Sequence, residues 1–202
     1  MTGNETRSTI KGLYKSANGF IVIGDGPGGS PLRNSKALVY GELTCRGVEQ
    51  LGRLLQLGQK DVFYDLGSGL GKVVLQVAMT MPVRKAIGVE IAKGRHQIAS
   101  RVLQVAHRQN LILAGACAFR NQSLEDAALR DATAIYCAST CFSYNAMYRL
   151  VRKIAELNRE IRLVCLTPVF RKPRRVKLEK TVFLSASWNP RQFAYLYRFE
   201  KR

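Results

Sequence analysis

The chain reads as an α/β protein with a mostly parallel, Rossmann-like sheet closed by an antiparallel edge pair. Three observations predict this fold. Strand-sized apolar runs alternate with helical ones between residues 61 and 170, a glycine-rich turn follows the first strand, and the alternation ends in two β segments with no helix between them. The 202 residues are 47% hydrophobic, enough for one well-buried core, and one domain is expected.

Residues 1–35 are polar and turn-rich and end in the breaker string GDGPGGSPLRNS (24–35), so they are expected as a flexible N-terminal arm before a domain over 36–202. Within 48–57, Val48, Leu51, Leu54 and Leu55 fall at helical spacing, predicting a helix that covers a sheet edge. DVFYDL (61–66) predicts the first strand, 71–81 a helix, 85–90 the second strand and 92–108 a long helix. Residues 111–119 and 132–138 predict two more strands, 144–157 a helix and 161–170 a fifth strand; 180–188 and 192–200 predict the edge pair.

Charge narrows the partner. There are 32 Lys and Arg against 14 Asp and Glu, a net charge of +18, and residues 149–202 alone hold 15 bases and four acids. A polyanion is expected: nucleic acid, nucleoprotein or an acidic membrane surface. Arg171, Lys172, Arg174, Arg175 and Lys177 place five bases in seven residues and read as phosphate contacts, with a nuclear localisation signal or a solvated loop as alternatives. No run approaches the about 18 apolar residues of a membrane span, and the N-terminus lacks a signal-peptide pattern. Five cysteines, mostly in apolar runs, suit reduced core thiols in a reducing compartment. The absence of CxxC, with only His96 and His107 as histidines, argues against a structural zinc site, and no metal is expected.

The strongest constellation is Asp65-Leu66-Gly67-Ser68-Gly69-Leu70-Gly71-Lys72 between a strand and a helix, with Glu90 at the tip of the next strand. Glycines let backbone press on a ligand, and a carboxylate at the second strand tip accepts ribose hydroxyls. Asp65, just before the glycines, would repel a pyrophosphate but can hold a cation. S-adenosyl-L-methionine carries an ammonium and no phosphate, so a methyltransferase is favoured over a dehydrogenase.

YGELT (40–44), DLGSGLGKVVLQVA (65–78) and GVE (88–90), in that order, resemble the disruptor-of-telomeric-silencing (Dot-one) family of histone-lysine methyltransferases, which lack a SET domain. The resemblance runs from Tyr40 to Tyr197 and includes Ser187-Trp188 followed by Tyr195. It implies a class I S-adenosylmethionine methyltransferase fold. It further implies that Tyr40, Gly41, Glu42, Leu43 and Thr44 form a loop over the methionine end of the cofactor, with Glu42 facing its amino group. Phe63, Tyr64, Asp65, Leu66, Gly67, Ser68, Gly69, Leu70, Gly71 and Lys72 would be the central cradle and Glu90 the ribose clamp. Gln122 and Ser123 fall where the family sets an acidic turn against adenine; here an amide replaces the carboxylate.

The chain departs from the family after the fourth strand, where an asparagine pair is replaced by Ala138-Ser139 and only Phe142 keeps the aromatic pattern. Methyl transfer needs alignment more than side-chain chemistry. A narrow aromatic channel favours a neutral lysine amine, and Tyr136, Ala138, Ser139, Phe142, Trp188 and Tyr195 are the candidates for it. By the resemblance the substrate is a lysine of a nucleosomal core histone, the third histone, with DNA or RNA backbone held by the basic C-terminal quarter, in the nucleus. The alternatives are an RNA or ribosomal-protein methyltransferase and a cofactor-binding, non-catalytic chromatin module.

Overall fold

All five residues of Val62–Leu66 are buried, and a strand apolar on both faces needs cover on both sides. The computed structural model describes residues 1–15, 17 and 41–201. In chain order it contains α1 (Gly3–Leu13), α2 (Cys45–Leu55), β1 (Val62–Leu66), α3 (Lys72–Thr80), β2 (Lys85–Glu90), α4 (Lys93–Arg108), β3 (Cys117–Asn121), β4 (Ala134–Cys137), α5 (Tyr144–Glu156), β5 (Ile161–Cys165), β6 (Val176–Leu184) and β7 (Gln192–Phe199).

The strands form one sheet in the order β3-β2-β1-β4-β5-β7-β6. β1 to β5 run parallel; β7 is antiparallel to β5, and β6 to β7. The expected parallel sheet with an antiparallel edge pair is therefore what forms. From β1 the chain winds one way through β2 and β3, then returns to β4 and β5 on the other side. That reversal opens a crevice at the C-terminal ends of β1 and β4, the place where such sheets bind ligands.

One face of the sheet, through Phe63, Val164 and Leu196, packs with Val48, Leu51 and Leu55 of α2. The other, through Tyr64, Ile135 and Leu163, packs with Leu150, Val151 and Ile154 of α5. The helix expected over 48–57 spans Cys45–Leu55, capped by Thr44, and lies against β5 and β6. No described helix is long and apolar enough to cross a membrane.

Four elements differ from the expectation, and one is the fifth strand: expected over 161–170, it ends at Cys165 because the Leu166 and Thr167 amides turn to the Ser139 hydroxyl. The stretch expected as an arm holds a helix, α1, whose Thr2 and Glu5 form a reciprocal capping box and whose Ile10 is buried in the core. A single buried face on an otherwise polar segment carries too weak a periodicity to register. Residues 16 and 18–40, which include the breaker string and Tyr40, lie outside the described residues. β3 begins at Cys117 because Gly115, at φ 79, turns the chain within the run expected as strand. β6 begins at Val176, four residues before the expected start at Lys180, because cross-strand partners from Phe199 onward supply its ladder.

Asp61 fastens the entry to β1. It accepts from the Gly58 amide at 2.8 Å, from Thr133 Oγ1 at 2.6 Å and from the guanidinium of Arg162, which also donates to the Gln56 carbonyl at 3.1 Å. Removing one partner of a mostly buried ion pair strands the other charge. Asp61→Ala is expected to cost about 3 kcal/mol, seen as a lower urea midpoint at unchanged slope.

Candidate active site

The glycine turn after β1 is left-handed at Gly67 (φ 84), Gly69 (φ 54) and Gly71 (φ 84), a region that glycine enters without steric cost. A Cβ at Gly67 would stand 3.1 Å from the Phe142 ring, and one at Gly71 2.4 Å from Phe119. The Gly67 and Ser68 amides donate to the Val89 carbonyl at 2.8 and 3.0 Å. Gly69 donates to Glu90 Oε2 at 2.8 Å, and Glu90 Oε1 accepts from the Ala92 amide at 2.8 Å. Glu90 is thus both the expected strand-tip carboxylate and the brace of the turn. Phe63, Tyr64, Leu66 and Leu70 are buried core residues, so at this site they contribute backbone.

Among the described residues, four buried side-chain polar atoms lack a hydrogen-bond partner; three are Asp65 Oδ1, Ser68 Oγ and Gln122 Oε1. Asp65 and Ser68 belong to the cradle read from the sequence, and Gln122 to the turn expected against adenine. Burial raises the Asp65 pKa well above the usual aspartate range, and the Glu90 and Glu42 carboxylates add to it. Ser123 caps its own turn instead, donating to Asp126 Oδ2 at 2.6 Å.

A second loop closes over this turn. Thr44 donates through its amide to the Ser185 carbonyl at 2.9 Å, Leu43 bridges Ala186, and the Ser187 amide donates to the Glu42 carbonyl at 2.8 Å. These ties set Glu42 beside the glycine turn, where the Lys72 ammonium meets Glu42 Oε2 at 2.5 Å. Burial raises the Glu42 pKa, and the bond from Lys72 opposes the rise. Lys72 Nζ also lies 5.2 Å from the centre of the Tyr14 ring, whose hydroxyl donates to the Leu70 carbonyl at 2.8 Å. Sequence reading missed Tyr14 and Phe119: one sits in a segment taken for an arm, and the other serves as a wall only because glycines 71 and 88 leave room for it.

The aromatic candidates divide. The Phe142 ring stands over Gly67, and Trp188, 43% exposed, lies so close to Gly41 that a Cβ there would come within 2.3 Å of it. Trp188 is steadied by its Nε1 donating to Gln192 Oε1 at 2.9 Å. Tyr195 is half-buried on β7 against the core on the α5 side, whereas Tyr136 is buried in the core next to Asp65. Ser139 is also buried: its hydroxyl accepts from the Leu166 and Thr167 amides at 3.1 and 3.0 Å, tying β4 to the end of β5. Ala138 is half-buried against the core. In the basic segment, Arg175 donates to the Ala155 carbonyl at the end of α5 and to Asn158 Oδ1 at 3.1 Å, and Lys177 pairs with Glu200 at 2.6 Å. Arg171, Lys172 and Arg174 stand exposed.

The five cysteines are free thiols. No group of three or more His, Cys, Asp or Glu among the described residues could hold a metal ion.

A sheet of this order with a glycine turn and an acid at the next strand tip defines the class I, Rossmann-like methyltransferase fold. An RNA methyltransferase from Salinibacter ruber, solved with S-adenosyl-L-homocysteine, superimposes with a TM-score of 0.61 over 77% of this chain and 91% of that one, at 21% identity. The B. subtilis tRNA methyltransferase TrmK gives 0.58 over 77% and 65%, at 15% identity. The family is more specific than the fold: the model of the histone methylation protein DOT1 matches residues 32–186, and the chain belongs to that family. The H3 lysine-79 specific histone-lysine N-methyltransferase of Drosophila melanogaster is 41% identical over 71 residues, which are 35% of this chain and 4% of that protein.

Because the fold raises the Asp65 pKa, its stabilising contribution is complete below the ordinary aspartate range, about 3.9, and is lost as pH rises through the raised value. Asp65→Asn, which cannot ionise, is expected to raise the melting temperature at pH 7 by about 3 °C or more and to flatten its dependence on pH. A melting series across pH 4–8 checks this.

Proposed function

We propose that the protein is an S-adenosyl-L-methionine-dependent histone-lysine N-methyltransferase acting in the nucleus on the third core histone, with lysine 79 as the target. The observation that carries the reading is the set of buried polar atoms without partners, Asp65 Oδ1, Ser68 Oγ and Gln122 Oε1, around one glycine turn. A buried carboxylate between two others calls for a cationic ligand, and a buried amide oxygen calls for a donor. An amino acid joined to adenosine supplies both.

The residues present fit that cofactor. Asp65 and Glu42 offer carboxylates to an amino group, and Lys72 offers a cation to a carboxylate. Glu90 keeps lone pairs beyond those that hold Gly69 and Ala92, enough for ribose hydroxyls. Gln122 offers its oxygen to the adenine amine. When bound, the cofactor supplies an electrophilic methyl group on a sulfonium.

Phe142, Trp188 and Tyr195 exclude water from the approach of the lysine. Desolvation there favours the neutral amine over the ammonium, and ring faces accept a methylated cation. Ser139, at one of the two positions where the family has its asparagine pair, acts through its hydroxyl, which holds the Leu166 and Thr167 amides of the loop after β5. The small side chain of Ala138 leaves the wall to Phe142.

The test is methyl transfer from radiolabelled S-adenosylmethionine to nucleosomes, free histones and total RNA, with Gly67→Arg as control. Label on nucleosomal histone, weaker on free histone and absent with the control, is expected. Label on RNA alone, or none despite cofactor binding, refutes the substrate assignment. The exposed bases Arg171, Lys172 and Arg174 are the expected phosphate contacts. Replacing all three by alanine is expected to lower the salt slope of nucleosome binding by up to about 3, near one per lost contact.

A further inference from the structure

β7 carries aromatic residues at every second position, Phe193, Tyr195, Tyr197 and Phe199, so all four rings project from the sheet face that α5 covers. Burial grades along the row: Phe199 and Tyr197 are core, Tyr195 is half-buried, and Phe193 is 50% exposed. Phe183 stands directly across from Phe193 on β6, with ring centres 4.6 Å apart, and Phe193 continues to Tyr195 at 6.5 Å with rings 25° from parallel. The guanidinium of Arg191 lies over Phe183, 4.7 Å from its centre.

The loop after β5 crosses the same face, held by the Val169 amide donating to the Tyr197 hydroxyl at 2.8 Å. It presents Phe170, 77% exposed, tilted against Tyr144 at 6.4 Å, and then Arg171 and Lys172. Exposed rings this large on a protein of charge +18 mark a binding surface, since single exposed apolar residues need no explanation but a stacked group does. None of these rings contributes to the cofactor cradle, and the neighbouring Tyr195 belongs to the proposed approach of the lysine.

Ring faces interleaved with guanidinium and ammonium groups meet both halves of an unpaired nucleotide. Bases stack on the rings, and phosphates lie against the cations. A duplex hides its bases and could use the cations alone. A folded acidic protein would use the charge without needing rings set at stacking distance. We infer that the α5-side face of the β6–β7 hairpin, centred on Phe183, Phe193 and Arg191 and extended by Phe170, binds single-stranded nucleic acid.

The test uses the full chain and fluorescence anisotropy with a labelled 15-nucleotide oligothymidylate and a duplex of the same length. Phe183→Ser combined with Phe193→Ser removes two exposed rings, and an unchanged melting temperature establishes that the fold is intact. Single-strand affinity is expected to fall about tenfold or more, with duplex affinity within about twofold of the unmodified protein. Arg191→Gln is expected to weaken the single strand by a smaller factor and to lower its salt slope by about one. Unchanged single-strand binding in the double variant would overturn the inference. So would an equal loss for the duplex, or an equal loss for polyglutamate, which would assign the surface to acidic protein. The outcome is independent of methyl transfer, because neither replaced ring lies in the cofactor site.

Discussion

The two bonds that Glu90 accepts from Gly69 and Ala92 hold the site together. A left-handed glycine turn has many conformations open to it and no side chains with which to choose one. The carboxylate at the tip of β2 chooses, by fixing the turn backbone on one side and the start of α4 on the other. Everything else in the crevice is placed relative to that turn: Phe142 over Gly67, Phe119 against Gly71, and Lys72 at the first position of α3, within reach of Glu42.

That brace adds one more acid to a crevice already rich in them. The Glu90 and Glu42 carboxylates disfavour an ionised Asp65, and Glu42 itself is paired with Lys72 of the glycine turn. The unliganded fold therefore carries an electrostatic cost that a cationic ligand would relieve. Sites tuned for binding commonly sit away from the stability optimum in this way. The basic surface works in the opposite sense, since its lysines and arginines are mostly solvated and act on partners at longer range.

How much was legible depended on whether a signal was local. The alternating runs predicted the sheet, and the edge pair was visible because two β segments followed each other with no helix between them. The cradle was legible because glycines, a preceding acid and a strand-tip acid recur at fixed chain separations. Tyr136 and Ser139 show the limit. Both sit at the end of β4, where a channel is expected, yet Tyr136 points into the core beside Asp65 and Ser139 ties two loop amides. The direction of a side chain at a strand end depends on the packing of neighbouring strands, which no run of residues encodes.

By itself the sequence determined the parallel sheet, the position of the glycine turn, the acids of the crevice and the concentration of positive charge after residue 148. These follow from periodicity, chain spacing and composition, which are properties of neighbours along the chain. Only the tertiary structure decided that α1 docks on the core, that Lys72 meets Glu42, that Arg175 caps α5 and that Phe170 is carried onto the aromatic face of β7 by the bond from Val169 to Tyr197. Each of these joins residues distant in sequence, through contacts whose energy exists only once the sheet has brought them together.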